Sequence, residues 1–367
     1  MPALSTRVQR FLLPGFAFKA LVIGGGYATG RELATFFLPS GPLGGLWAML
    51  LSALVWSIVC TLTFLFAFQT ASRDYGTFFR SLLGPLWPAF EVAYGLTLIV
   101  VLAVYSAAAG AIGNAMFGWA PLVGSLLLMI CVTAITAYGN VAVERLFKYV
   151  TIVLYGTYLL LAILVLSRFG QRCIATFSAG LPSEGWFLGG LTYAGYNIIG
   201  AVLILPVVRH MQSRRDAVLA GVLAGPMTIL PAMLFFFCLL AFYPEIVSQT
   251  LPSDYVLERL NMPALRALFE LMVFAALLES AAGGIHAFNE RTAHAFHVAR
   301  GHDFPFSARL ALTCAVLAVS VYLAARIGLV SLIARGYTWL AVAILLIYVL
   351  PLVTLGTWRL LAKPASP

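Results

Sequence analysis

Charge is what this chain has least of. Only 10% of its 367 residues are Asp, Glu, Lys or Arg, while 62% are hydrophobic and the mean hydropathy is +0.98. A soluble domain of this length needs a charged surface, so this composition excludes one. Enzyme signatures are missing too: no Gly-x-Ser-x-Gly, no phosphate loop ending in Gly-Lys-Ser/Thr and no His-Glu-x-x-His. No loop is long enough to hold a soluble catalytic domain; the longest fall near 168–185 and 244–263. The five cysteines form no Cys-x-x-Cys pair, and Cys60, Cys131, Cys238 and Cys314 lie inside apolar runs. That pattern points to neither a disulfide framework nor a cysteine metal site. Acidic residues are the scarcer sign, 13 against 22 basic, for a net charge of +9. In an apolar chain the excess reads as basic loops that set membrane topology, and no nucleic-acid partner is expected.

What the chain has in abundance is long apolar runs. They recur along its whole length and do not alternate, which predicts a polytopic α-helical membrane protein and not a β-barrel. The first run lacks a small-residue cleavage site and leads directly into further spans, so it reads as a retained helix and not a signal peptide. Ten spans are expected, over 12–38, 44–69, 86–116, 119–138, 144–167, 186–206, 216–243, 264–290, 306–326 and 330–359. With the N-terminus inside, the inner segments carry 14 Lys and Arg and the outer ones 6. This bias predicts both termini in the cytoplasm of a bacterial inner-membrane protein.

Glycine is concentrated where it interrupts helices. Span 1 contains Gly24-Gly25-Gly26-Tyr27-Ala28-Thr29-Gly30-Arg31-Glu32 between two apolar stretches. Glycine costs about 1 kcal/mol against alanine in a helix interior, and a charge at mid-bilayer costs at least about 2.5 kcal/mol. Irregular backbone at membrane depth survives only where protein covers it or where it lines a watery cavity. Span 6 has a matching stretch, Gly189 to Gly200, with the two break centres offset by 169 residues; spans 2 and 7 are offset by 172. Each half holds five spans, so 12–167 and 186–359 form two inverted repeats within one domain, 1–367. Paired interruptions in inverted halves point to a transporter's central site.

These features resemble the LeuT-type fold of the amino acid–polyamine–organocation superfamily. More narrowly, Ile23 to Glu32 is similar to the glycine–aromatic–small–glycine–polar–glutamate motif of bacterial YkvI-like membrane proteins, with Arg31 standing where that family has a neutral polar residue. The resemblance implies alternating-access transport of a small organic solute of the amino-acid type, coupled to Na⁺ or H⁺, with no further cofactor.

A broken helix leaves N–H groups free at one half-helix start and C=O groups free at the other half-helix end. Gly24, Gly25, Gly26, Tyr27, Thr29, Gly30 and Arg31 in span 1, with Thr192, Tyr193, Gly195, Tyr196 and Asn197 in span 6, are therefore the expected solute site. The plainer alternative is that the small residues serve helix packing. Glu32 lies just past the break. Arg31 and Glu32, adjacent on a helix, need different partners, and Arg31 is expected to favour an anionic group or hold a carboxylate of the protein. Glu279, near the middle of span 8, is functional by default as an intramembrane carboxylate; its plainer alternative is a salt bridge, for instance to Arg31. In LeuT-like transporters span 8 supplies hydroxyl residues to a sodium site, and Ser280 resembles that supply, so Glu279, Ser280 and Glu32 are the ion-coupling candidates. Glu91 and Glu270 read as solvated helix ends, and Tyr94, Tyr105 and Asn114 as weaker cavity candidates. The stripe of His286, Glu290, His294 and His297 reads as a solvated helix end, because four ligands from one helix cannot converge on one ion. Two other function classes remain open: a sensor that binds without transporting, and an intramembrane enzyme. Against the latter, Glu279 and His286 stand about 10 Å apart along their helix.

Overall fold

A computed structural model of the chain describes residues 8–138, 141–181 and 183–362. It is all helical, with no strand among the described residues. Each expected span has its helix. Span 1 is split into Leu13–Val22, a single turn Gly25–Ala28, and Arg31–Phe36. Span 2 is Gly41–Gln69, span 3 Pro88–Phe117, span 4 Pro121–Tyr138 and span 5 Val141–Ser178. Span 6 comprises Trp186–Asn197 and Gly200–Leu203, followed by the 3₁₀ turn Leu205–His210. Span 7 is Arg214–Leu240, span 8 Pro263–Arg300, span 9 Phe306–Ile327 and span 10 Leu329–Ala362.

The helix starts obey local chemistry. Ser213 caps span 7: its hydroxyl accepts from Asp216 N at 3.2 Å, and Asp216 Oδ2 accepts from Gln212 N, just ahead of the cap, at 2.8 Å. Proline opens spans 3, 4 and 8, where its missing N–H costs nothing. Two of the three π-helical turns in span 10, Leu345–Val349 and Leu352–Gly356, flank Pro351, which cannot donate to the preceding turn.

Two expected loops prove to be structured. Residues 168–178 continue span 5 as helix. Within 244–263, a 3₁₀ turn Glu245–Ser248 leads into the helix Pro252–Leu260, here called the capping helix. Its Val256, Leu257 and Leu260 are fully or nearly fully buried, so an apolar stripe folds this segment onto the bundle.

Without a hydrophobic drive between helices in lipid, close packing holds the bundle together. Span 7 lies along span 2 through glycine. A Cβ on Gly225 would stand 2.1 Å from Ala53 O, and one on Gly221 2.4 Å from Thr61 Cα. Ser57 donates to Val222 O at 2.9 Å across the same seam. Spans 3 and 4 form a second tight hairpin, with Gly124 set against Ala109 O and Gly110 against Pro121 O. Leu54, Ile58, Ile130, Leu230 and Leu346 point outward and form the lipid-facing surface.

Gly225→Ala is expected to destabilise the protein by about 1–3 kcal/mol through overpacking. Gly95→Ala, with nothing within 4 Å of the added methyl, is expected to hold stability or gain up to about 1 kcal/mol. Thermal unfolding of the two purified variants in detergent checks the contrast; equal behaviour would contradict the seam.

Candidate functional site

The interruption in span 1 is a double one. The first half-helix ends at Val22, Ile23 leaves helical geometry, and Gly24 is extended. After one turn, Gly30 adopts a left-handed conformation with φ of 74°. A side chain there would also meet Phe235 at 3.0 Å and Pro252 at 3.2 Å, so both backbone and space require glycine.

The polar groups freed by the second interruption find partners inside the protein. Thr29 Oγ1 donates to Gly26 O at 2.8 Å and accepts from Arg31 N at 3.2 Å. Tyr158 of span 5 donates to Ala28 O at 2.6 Å. Ser253 N of the capping helix donates to Thr29 O at 3.0 Å. Thr29 is thus a cap for its own break.

Glu32 is 4% exposed. Tyr196 of span 6 donates to its Oε2 at 2.6 Å, and its Oε1 lies 2.9 Å from where a Gly26 Cβ would be. Tyr196 stacks on Tyr337 of span 10, with centroids 4.3 Å apart. Around Gly24, a Cβ position would stand 3.3 Å from the Tyr105 hydroxyl and 3.4 Å from the Ser280 hydroxyl. Tyr27 is buried with its hydroxyl unpartnered among the described residues, its ring against Tyr158 and Phe235. The structure therefore gathers Gly24, Gly26, Tyr27, Glu32, Tyr196, Ser280 and Tyr105 around the span 1 break. Gly25 begins the single turn between them. This environment is rich in acceptors, with one carboxylate, and suits a group that brings positive charge and hydrogen-bond donors.

Span 6 departs from expectation. Thr192 to Asn197 stay helical, and the interruption is a tightened turn at Ile198 and Ile199 with right-handed dihedrals. Its carbonyls are already claimed. Trp56 Nε1 donates to Ala194 O at 3.1 Å, Asn197 Nδ2 to Tyr193 O at 3.0 Å and Ser52 to Gly190 O at 2.8 Å. Gly195 packs on Ala341 and Leu345 of span 10, and Gly189 and Gly190 pack on Phe36 O and Ala48 O. Small residues here serve close packing, the plainer of the two readings. Tyr193 is enclosed by Phe37, Trp56 and Tyr196, and Thr192 is buried. Of the span 6 candidates, Tyr196 alone is bonded to the Glu32 carboxylate.

Arg31 is in none of the ion pairs among the described residues. It is 4% exposed, and its Nη1 donates to Val247 O at 2.9 Å and Gln249 O at 2.6 Å, while Nε donates to Thr35 Oγ1 at 3.1 Å. It ties span 1 to the segment leading into the capping helix. Glu279 is half-buried on the side of Tyr155 and Lys19, whose Nζ sits 4.6 Å over the Tyr155 ring.

The two expected solvated ends behave differently. Glu91 pairs with Arg291, which also stacks on Tyr75 and Tyr94. Glu270 is 1% exposed and fully inside the protein, because the capping helix covers the end of span 8. Asn114 Nδ2 donates to Trp119 O near the surface. Glu290 pairs with Arg309, and His297 with Asp303. Sequence reasoning missed Tyr158, Tyr337 and Glu270. For Glu270 a signal existed: it lies seven residues past Pro263, about 10 Å down the helix.

No family model matches the chain, and no curated protein does. Solved structures are similar in fold. The manganese transporter of Eremococcus coleocola, in complex with an aromatic bis-isothiourea substituted compound, aligns with a TM-score of 0.63 at 13% identity, over 95% of this chain and 78% of that one. MhsT in complex with L-phenylalanine aligns at 0.61 and 17% identity, over 95% and 96% of the two chains. The inward facing conformation of Mhp1 aligns at 0.57 and 14%, over 89% and 73%. The chain thus has the LeuT-type fold.

Tyr196→Phe removes the donor on Glu32 and is expected to cost about 1–3 kcal/mol. Combined with Glu32→Gln, the loss should fall short of the sum by at least about 0.5 kcal/mol. A double-mutant cycle by thermal unfolding measures this; strict additivity would deny the bond.

Proposed function

We propose that the chain is a secondary active transporter of a small organic solute that carries an ammonium group, an amino acid or a relative of one. The observation that carries this reading is Glu32: a buried carboxylate in the span 1 break, met by a tyrosine hydroxyl and by none of the ion pairs among the described residues. Such a group calls for a positive charge from a ligand or a proton. The hydroxyls of Tyr27, Tyr105, Tyr196 and Ser280 and the carbonyl end of Leu13–Val22 add acceptors around it.

The fold supports the same reading, since the similar structures named above are those of a manganese transporter, of MhsT in complex with L-phenylalanine and of Mhp1 in an inward facing conformation. Among the described residues no three His, Cys, Asp or Glu side chains come together. A divalent metal therefore finds fewer ligands here than an ammonium group does.

In this reading the solute's ammonium group meets Glu32, and the coupling ion, Na⁺ or H⁺, binds on the Gly24–Ser280 side with Glu279 nearby. Arg31 and the capping helix close one end of the path, which the Lys and Arg distribution assigns to the outside of a bacterial inner membrane with both termini cytoplasmic. Alternating access then consists of breaking the Arg31 bonds to Val247 and Gln249 and reforming them.

The test is counterflow in proteoliposomes loaded with amino acids or simple amines. Glu32→Gln is expected to abolish exchange while the protein stays folded, and Glu279→Gln to abolish ion-driven uptake. Binding by thermal shift without exchange in the wild type would make the chain a sensor with this fold. Wild-type exchange retained in Glu32→Gln would overturn the assignment of the site.

A further inference from the structure

Glu270 holds a second charge-management problem, separate from the Glu32 site. It is 1% exposed, and neither carboxylate oxygen has a hydrogen-bond partner among the described residues. Ser253, 0% exposed, lies beside it on the capping helix, and its hydroxyl also has no partner among the described residues. The charged and titratable neighbours are Asp254 on the capping helix, Arg266 one turn earlier on span 8 and Tyr158 on span 5; Glu258 acts on Arg266 from farther out.

The one cation in this group is already matched. Arg266 makes a bidentate pair with Asp254, Nε to Oδ1 at 2.6 Å and Nη2 to Oδ2 at 2.7 Å. Tyr158 already donates its hydroxyl hydrogen bond to Ala28 O. A carboxylate at Glu270 would therefore be a surplus buried charge, which costs several kcal/mol.

We propose that Glu270 is a proton-binding site whose occupancy docks the capping helix on the broken helix of span 1. Protonation turns one carboxylate oxygen into an O–H donor, which the Ser253 hydroxyl can accept, and removes the surplus charge. The same Ser253 donates its backbone N–H to Thr29 O in the break. Proton binding at Glu270 and closure over the site are thus joined through one residue. The proton has a route: Asp254 lies between Glu270 and a cavity of about 450 Å³ lined also by Glu258, Gln249, Asn114 and Ser125. An alkali ion is disfavoured, because neither this cavity nor the apolar one at Tyr155 and Phe235 reaches Glu270, and a carboxylate and one hydroxyl are too few oxygens to replace its hydration.

This inference rests on the transporter reading only for its place in the cycle; proton binding and docking are measured without solute. Infrared difference spectra of the purified wild type across a pH titration should show a buried carboxylic-acid band that vanishes in Glu270→Gln and persists in Glu32→Gln. Amide exchange over 249–262, corrected for intrinsic rates, should lose protection as pH rises, by up to about tenfold per pH unit for one linked proton. In Glu270→Gln, a neutral isostere, protection should stay high at every pH. The band surviving in Glu270→Gln, or wild-type protection that follows sodium at fixed pH and ignores pH, would overturn the proposal. The wild-type exchange measurement alone decides the matter should the variant fail to fold. Failure of counterflow would leave these outcomes unchanged.

Discussion

A backbone polar group inside a bilayer must be satisfied by protein, and the break in span 1 raises that demand at one place. The arrangement around it follows. Thr29 bonds back to Gly26 O, Tyr158 reaches from span 5 to Ala28 O, and Ser253 comes from the capping helix to Thr29 O. Arg31 extends the same logic outward by binding Val247 O and Gln249 O. Span 5, the 247–249 stretch and the capping helix therefore converge on three residues of span 1, Ala28, Thr29 and Arg31. A change that removed the break would remove the reason for each of these contacts.

The convergence separates two kinds of polar group. Those around Thr29 are satisfied and hold the architecture. Those near Gly24 and Gly26 include the Glu32 carboxylate, met by one tyrosine hydroxyl, and the Tyr27 hydroxyl, which is unpartnered among the described residues. Glu270 belongs to the second kind but sits beyond Tyr158, under the capping helix.

Spans 1 and 6 are related by sequence position, yet they solve the same problem differently. Span 1 unwinds with an extended Gly24 and a left-handed Gly30. Span 6 only tightens at Ile198 and Ile199, and Trp56, Ser52 and Asn197 donate to carbonyls of the helix before that turn. Glycines that look alike in the two stretches thus have different work. Gly30 supplies a positive φ, whereas Gly189, Gly190 and Gly195 supply close approach.

Local rules in the sequence determined the helical class, the ten spans, the interruption at Gly24 to Gly30 and the candidacy of Glu32 and Tyr196. Hydropathy, glycine cost and the cost of buried charge act within one segment, so they can be read along the chain. The tertiary structure decided the rest, because it depends on which groups from distant segments meet. It assigned Arg31 to carbonyls of the 247–249 stretch, though the residue type alone suggested a carboxylate. It turned Glu270 from an expected solvated end into a buried acid, since the helix that covers it, Pro252–Leu260, lies in what hydropathy marks as a loop. It also packed most of the span 6 candidates against partners that no local pattern announces.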